Sequence, residues 1–105
     1  MIELTHQTQA GWCVVKIRGR ADAEAADEME QGLRDAVRQH PKVAADFDGV
    51  QYISSAGLRA VLQAARTAQE RNVEFTVCQL RGPVKKVFEI SGMQHVLRIQ
   101  EDLPC

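Results

Sequence analysis

The residues best placed to do chemistry are Ser54 and Ser55, within Val50-Gln51-Tyr52-Ile53-Ser54-Ser55-Ala56-Gly57-Leu58-Arg59. An apolar run ends there. From Leu58 onward apolar residues recur at Val61, Leu62 and Ala65, the i, i+3, i+4, i+7 spacing of a helix buried on one face. A hydroxyl at a helix start can accept a hydrogen bond from an unpaired backbone N–H. Those N–H groups and the partial positive charge of the helix end also favour a phosphate. Ser54 and Ser55 are therefore either plain caps or a cap that can be phosphorylated, with Arg59 one turn further on.

Three carboxylates stand near these serines in the expected topology. Asp46 and Asp48 are read as the exit of a short strand, and Asp22 as the residue after another strand end. They could be paired catalytic acids or a magnesium site; the plainer reading makes them caps and loop acids on one rim. His6, His40 and His95 show no metal-ligand spacing. Ser55 is not set in GxSxG, and neither GxxxxGK[ST] nor GxGxxG is present. No catalytic constellation assembles. The expected class is a binding protein rather than an enzyme, with no cofactor and no metal.

The elements that must hold these residues follow from periodicity. Ile2–His6 alternates as a first strand, and Gln9-Ala10-Gly11 reads as a hairpin turn before a strand from Trp12 to Gly19. Asp22 is expected to cap a first helix with the stripe Ala26, Met29, Leu33, Ala36, Val37, stopped at His40-Pro41. Val43–Phe47 is expected as a short central strand, followed after the serines by a helix to about Arg71. Val73–Cys78 is a further strand, and Gly82-Pro83 opens a third helix that Gly92 closes. Val96–Ile99 is expected as an edge strand before a polar tail. The order β-β-α-β-α-β-α-β predicts an α/β fold, a mixed sheet with helices packed against it and right-handed parallel crossovers. In such a sheet functional groups gather beyond the carboxyl ends of the parallel strands.

Bulk properties bound the remaining choices. The 105 residues are expected to make a single domain spanning 1–105. With 45% hydrophobic and 26% charged residues, wholesale disorder is disfavoured. A formal net charge of −1 leaves no electrostatic footprint for nucleic acid or an anionic membrane. No apolar run reaches a membrane span, and Met1-Ile2-Glu3 does not open a signal peptide. Cys13 and Cys78 are expected as small core residues and Cys105 as a terminal thiol, which suits a reducing cytoplasm.

Taken together, these segments resemble the STAS domain family, and within it the small stand-alone anti-sigma factor antagonists of bacteria. The resemblance spans nearly the whole chain. It rests on Gly19-Arg20-Ala21-Asp22, on Ala45-Asp46-Phe47-Asp48-Gly49-Val50, on Tyr52-Ile53-Ser54-Ser55-Ala56-Gly57-Leu58, and on Val84 to Gly92. The family loop usually reads Asp-Ser-Ser/Thr-Gly-Leu, with its first serine phosphorylated. Aligned on Gly57-Leu58, Ser55 takes the phosphorylated position, with Ser54 as the second candidate. Ser54 stands where the family has aspartate, Ala56 where it has serine or threonine, and Arg59 where it has a small residue.

The resemblance implies partner switching. Unphosphorylated, the protein would bind an anti-sigma factor that is also a serine kinase; phosphorylated, it would lose that partner until a PP2C-type phosphatase restores it. The implied partner surface is Asp22, Asp46, Asp48, Ser54, Ala56, Gly57, Leu58 and Arg59. The alternative is a constitutive STAS scaffold subunit of a transporter or sensory complex, with the serines as caps only. Oligomeric state has no sequence signal beyond an uncovered first strand.

Overall fold

A computed structural model of the chain describes residues 1–104; Cys105 lies outside the described residues. Strands β1 (Ile2–Gln9) and β2 (Trp12–Ala21) form an antiparallel hairpin through Ala10 and Gly11, both at positive φ. A two-residue turn of that kind matches the right-handed twist of its strands. Helix α1 (Ala26–Gln39), β3 (Lys42–Ile53), α2 (Ser55–Glu70), β4 (Glu74–Cys78), α3 (Gly82–Ile90) and β5 (Ile99–Gln100) follow, with a 3₁₀ turn over Met93–His95. The five strands make one sheet in the order β1-β2-β3-β4-β5, antiparallel at β1–β2 and parallel elsewhere. The α/β class and element order expected from the sequence are those observed.

Sheet order decides where the helices go. Each crossover advances the chain by one strand in the same direction, and right-handed crossovers then place every helix on one face. The main core lies there: Val15, Ile17, Val43, Ala45, Phe47 and Val77 from the strands meet Met29, Leu33, Val61, Ala64, Val84 and Phe88 from the helices. Phe47 and Phe88 pack edge to face with ring centroids 5.5 Å apart, locking α3 to β3.

The opposite face holds a smaller cluster of Val14, Ala44 and Cys78, with Trp12 and Leu103 against it. The carboxyl-terminal segment, expected as a polar tail, is part of this packing: Pro104 is buried and its carbonyl accepts from Gln9 Nε2 at 2.8 Å. Cys13 and Cys78 are both buried, and burial raises both thiol pKa values. For Cys78, burial reinforced by the nearby Asp46 carboxylate moves it from 9.0 to about 12. A raised thiol pKa favours the protonated form in the native state. The stability it contributes is therefore complete below pH 9 and falls as pH rises from 9 towards 12. Native protein is expected to resist iodoacetamide at Cys78 at pH 8 and to react on unfolding; equal rates in both states would refute this burial.

Three further sequence expectations are corrected. First, β3 does not end at Phe47 but runs to Ile53. Asp46 and Asp48 read as the exit of the strand, yet the strand runs on through them and Gly49, with two register irregularities along its length. From Lys16 to Arg18 on β2 the partner moves from Asp46 to Gly49, and from Gly19 to Arg20 it moves from Val50 to Tyr52. Each is an extra residue on β3, a bulge. Second, Asp22 does not cap α1. Its Oδ1 accepts from Ala25 N at 3.1 Å, closing a turn that precedes the helix, whose own N-cap Ala25 has no side-chain bond. Third, the last strand is Ile99–Gln100, because Val96 and Leu97 are held by backbone bonds to Met93 in the 3₁₀ turn.

Candidate functional site

β4 pairs with β3 only up to Asp46, so β3 continues from there with β2 alone beside it. At the tip of this two-stranded extension Ala21 is level with Ile53, and the chain turns directly into α2. Ser54 has extended geometry and is the N-cap: its Oγ accepts from Gly57 N at 3.2 Å and donates to Ala21 O at 3.2 Å. Ser54 N also donates to Ala21 O, at 3.0 Å. Ser54 thus ties the helix start to the end of β2, its hydroxyl both donating and accepting within the fold. Ser54→Ala is expected to cost about 1 kcal/mol, the usual worth of a cap, and a lowered thermal midpoint with Ser55 still modifiable would show that.

Ser55 is the first residue of α2 and is exposed. Among the described residues its hydroxyl has no hydrogen-bond partner, in contrast to that of Ser54. The first turn of α2 contains no acidic residue, so its positive end is uncompensated. Ser55, Ala56 and Arg59 line a groove with Ala23, Ala26, Asp27 and Glu30 across the mouth between α1 and α2. Asp22, half-buried, lies directly after Ala21 at the same tip.

Gly57 and Leu58 point inward and are buried. A Cβ on Gly57 would lie 2.5 Å from Ala21 O and 2.8 Å from Ile53 Cγ1. Leu58 joins the main core. These two buried residues position the serines and offer little surface to a partner.

Asp46 and Asp48 belong elsewhere. Asp46 is 4% exposed, and its Oδ1 accepts from Asp48 N and from Gln79 Nε2, each at 3.0 Å. Asp48 pairs with Arg81, which also donates to Gln79 Oε1 at 3.1 Å. This network braces the first β3 bulge against the loop between β4 and α3. At about 3.3 Å per residue, Asp46 and Asp48 lie roughly 26 and 20 Å along β3 from Ser54, somewhat less where the bulges shorten the strand. The two acids expected on the serine rim are therefore not brought to it; the bulged continuation of β3 carries the rim away from them. His6, His40 and His95 are exposed, and among the described residues no group of three His, Cys, Asp or Glu gathers for a metal ion.

The structure adds a pair that carries no motif signal. Arg20 and Tyr52 are cross-strand neighbours two residues before Asp22 and Ser54, with the guanidinium carbon 4.4 Å from the ring centroid. Tyr52 is 41% exposed. Stacked Tyr and Arg side chains are the residue types that anchor protein interfaces. The one sequence clue is an aromatic residue at a strand position that faces out. The site is a helix start with one hydroxyl unpartnered among the described residues, flanked by an acid, a stacked cation–aromatic pair and an arginine.

Comparison with known proteins fits this geometry. The family model for the STAS domain matches residues 2–104. The chain is 31% identical over 99 residues to BtrV of Bordetella bronchiseptica, which carries the name of an anti-sigma factor antagonist; the match covers 93% of this chain and 85% of that protein. It resembles the crystal structure of an anti-sigma factor antagonist from Mycobacterium paratuberculosis with a TM-score of 0.83 at 23% identity, covering 98% of this chain and 88% of that one. The phosphorylated form of SpoIIAA, a Bacillus cell fate determinant, gives a TM-score of 0.71 at 17% identity, covering 98% of this chain and 92% of that one. The two structural likenesses speak for the fold, and the family model over nearly every residue settles the lineage: the chain belongs to the STAS domain family.

Proposed function

We propose that this protein is an anti-sigma factor antagonist that works by partner switching, with Ser55 as the switch. Unphosphorylated, it binds an anti-sigma factor with serine kinase activity in the cytoplasm and so frees the sigma factor; phosphorylated on Ser55, it releases that partner until a PP2C-type phosphatase acts. The protein contributes a docking surface and a phosphoacceptor and performs no catalysis itself. The observation that carries this reading is the division of labour between the serines. Ser54 is consumed as the N-cap, while the adjacent Ser55 stands exposed with a free hydroxyl at the positive end of α2. The name of the Bordetella relative supports the antagonist role, and the phosphorylated SpoIIAA structure shows that a domain of this fold can be phosphorylated.

In this reading the docking surface is the tip of the β2–β3 extension: Asp22, Ser55, Ala56 and Arg59, extended by Arg20 and Tyr52. Asp46 and Asp48 act through the brace beneath it. The competing reading, a constitutive scaffold subunit, draws on one observation: Ser54 replaces the aspartate of the family loop. Phosphosite mapping by mass spectrometry on protein from its native cells, wild type beside Ser55→Ala, decides between them. Phosphate on Ser55 that disappears in the variant is the expected result. An unmodified protein across growth and stress conditions would refute the switch in favour of the scaffold.

A further inference from the structure

We infer that Arg59 is the intramolecular counter-ion of a phosphate on Ser55, so that phosphorylation adds negative charge and withdraws a positive charge from the docking surface in one event. The inference deepens the proposed switch and rests on that reading for its biological use. Ser55 and Arg59 are four residues apart on α2, both exposed, and line the same groove. Side chains at that spacing lie one above the other, and an anion placed before the cation is the favourable order relative to the helix dipole. A guanidinium offers a planar fork that matches phosphate oxygens.

The groove's other charges leave Arg59 available. Glu30 on the facing helix is paired with Arg34 at 3.1 Å, whereas Arg59 has no ion-pair partner among the described residues. Asp27 also lines the groove and is exposed. A phosphoserine of about −1.5 to −2 charges set beside Asp27 and Glu30 would be repelled by both. Arg59 is the cation within one helical turn that offsets this. In the unmodified protein the same guanidinium stays free to meet a partner carboxylate.

The test installs phosphoserine at position 55 during translation, so no kinase is needed. The phosphate resonance is then titrated by ³¹P NMR in wild type, Arg59→Gln and Arg66→Gln, each checked for native circular dichroism. Pairing stabilises the dianion, so Arg59→Gln is expected to raise the second phosphate pKa by roughly 0.3 unit or more. Arg66→Gln, an exposed arginine two turns further along α2, is expected to leave it in place. Superimposable curves for wild type and Arg59→Gln would overturn the pairing, as would an equal shift in Arg66→Gln. The two readings fail separately. Unmodified protein in native cells removes the switch but not the pairing, and identical titrations remove the pairing but not the switch.

Discussion

Phosphoserine at position 55 is expected to weaken binding of the anti-sigma factor partner by 100-fold or more, about 2.7 kcal/mol, without altering the fold. The structural cost of adding the group is small. Ser55 is exposed, no hydrogen bond of its hydroxyl is lost, the positive end of α2 favours the added charge, and Arg59 offsets Asp27 and Glu30 across the groove. The cost at an interface is large, because juxtaposed like charges or a desolvated unpaired phosphate amount to several kcal/mol. Calorimetric titration of modified and unmodified protein against the partner would measure the loss, and far-ultraviolet circular dichroism would test the unchanged fold. Equal affinities would sink the switch, while a gross spectral change would mean that phosphorylation acts through refolding. Ser55→Asp is expected to fall between the two states, since it carries one charge and a shorter reach.

Gly57→Ala is the second large effect, and here intrinsic propensity and tertiary packing oppose each other. In an isolated helix the change would stabilise by about 1 kcal/mol. At this position the new Cβ would stand 2.5 Å from the carbonyl oxygen of Ala21. That oxygen cannot retreat freely, because it accepts from both Ser54 N and Ser54 Oγ. Either α2 lifts off the strand tip or the cap breaks. The expected loss is about 2–3 kcal/mol from overpacking, a fall in melting temperature on the order of 10 °C for a domain of this size. Gly32→Ala in α1 is the matched control. Its nearest neighbour would be the flexible Leu4 side chain at 3.1 Å, so a near-neutral or stabilising outcome is expected. Should Gly57→Ala prove as stable as wild type, the close approach of α2 to β2 would be wrong, and with it the rigid placement of Ser55.

Local structure was legible in the order of residues. Periodicities near 3.6 and 2 marked the three α-helices and the hairpin, because burying one face is a local matter that the spacing of apolar residues encodes directly. The same holds for the serine cap and for the Gly57-Leu58 pattern behind it, where short-range hydrogen bonding and the first helical turn fix the register. Which charges keep company with the serines follows instead from packing between distant segments. Asp46 and Asp48 look like strand-exit acids because polar residues and a glycine usually end a strand. The neighbouring β2 holds them in a bulged strand, and Gln79 and Arg81, more than thirty residues away, take up their carboxylates. Conversely, Arg20 and Tyr52 meet only because parallel register sets them side by side, and Asp27 and Glu30 face Arg59 only because α1 and α2 share one side of the sheet. Charge and stacking act through space over a few ångströms, so which residues they join follows from how the strands and helices pack, a relation that sequence spacing does not contain.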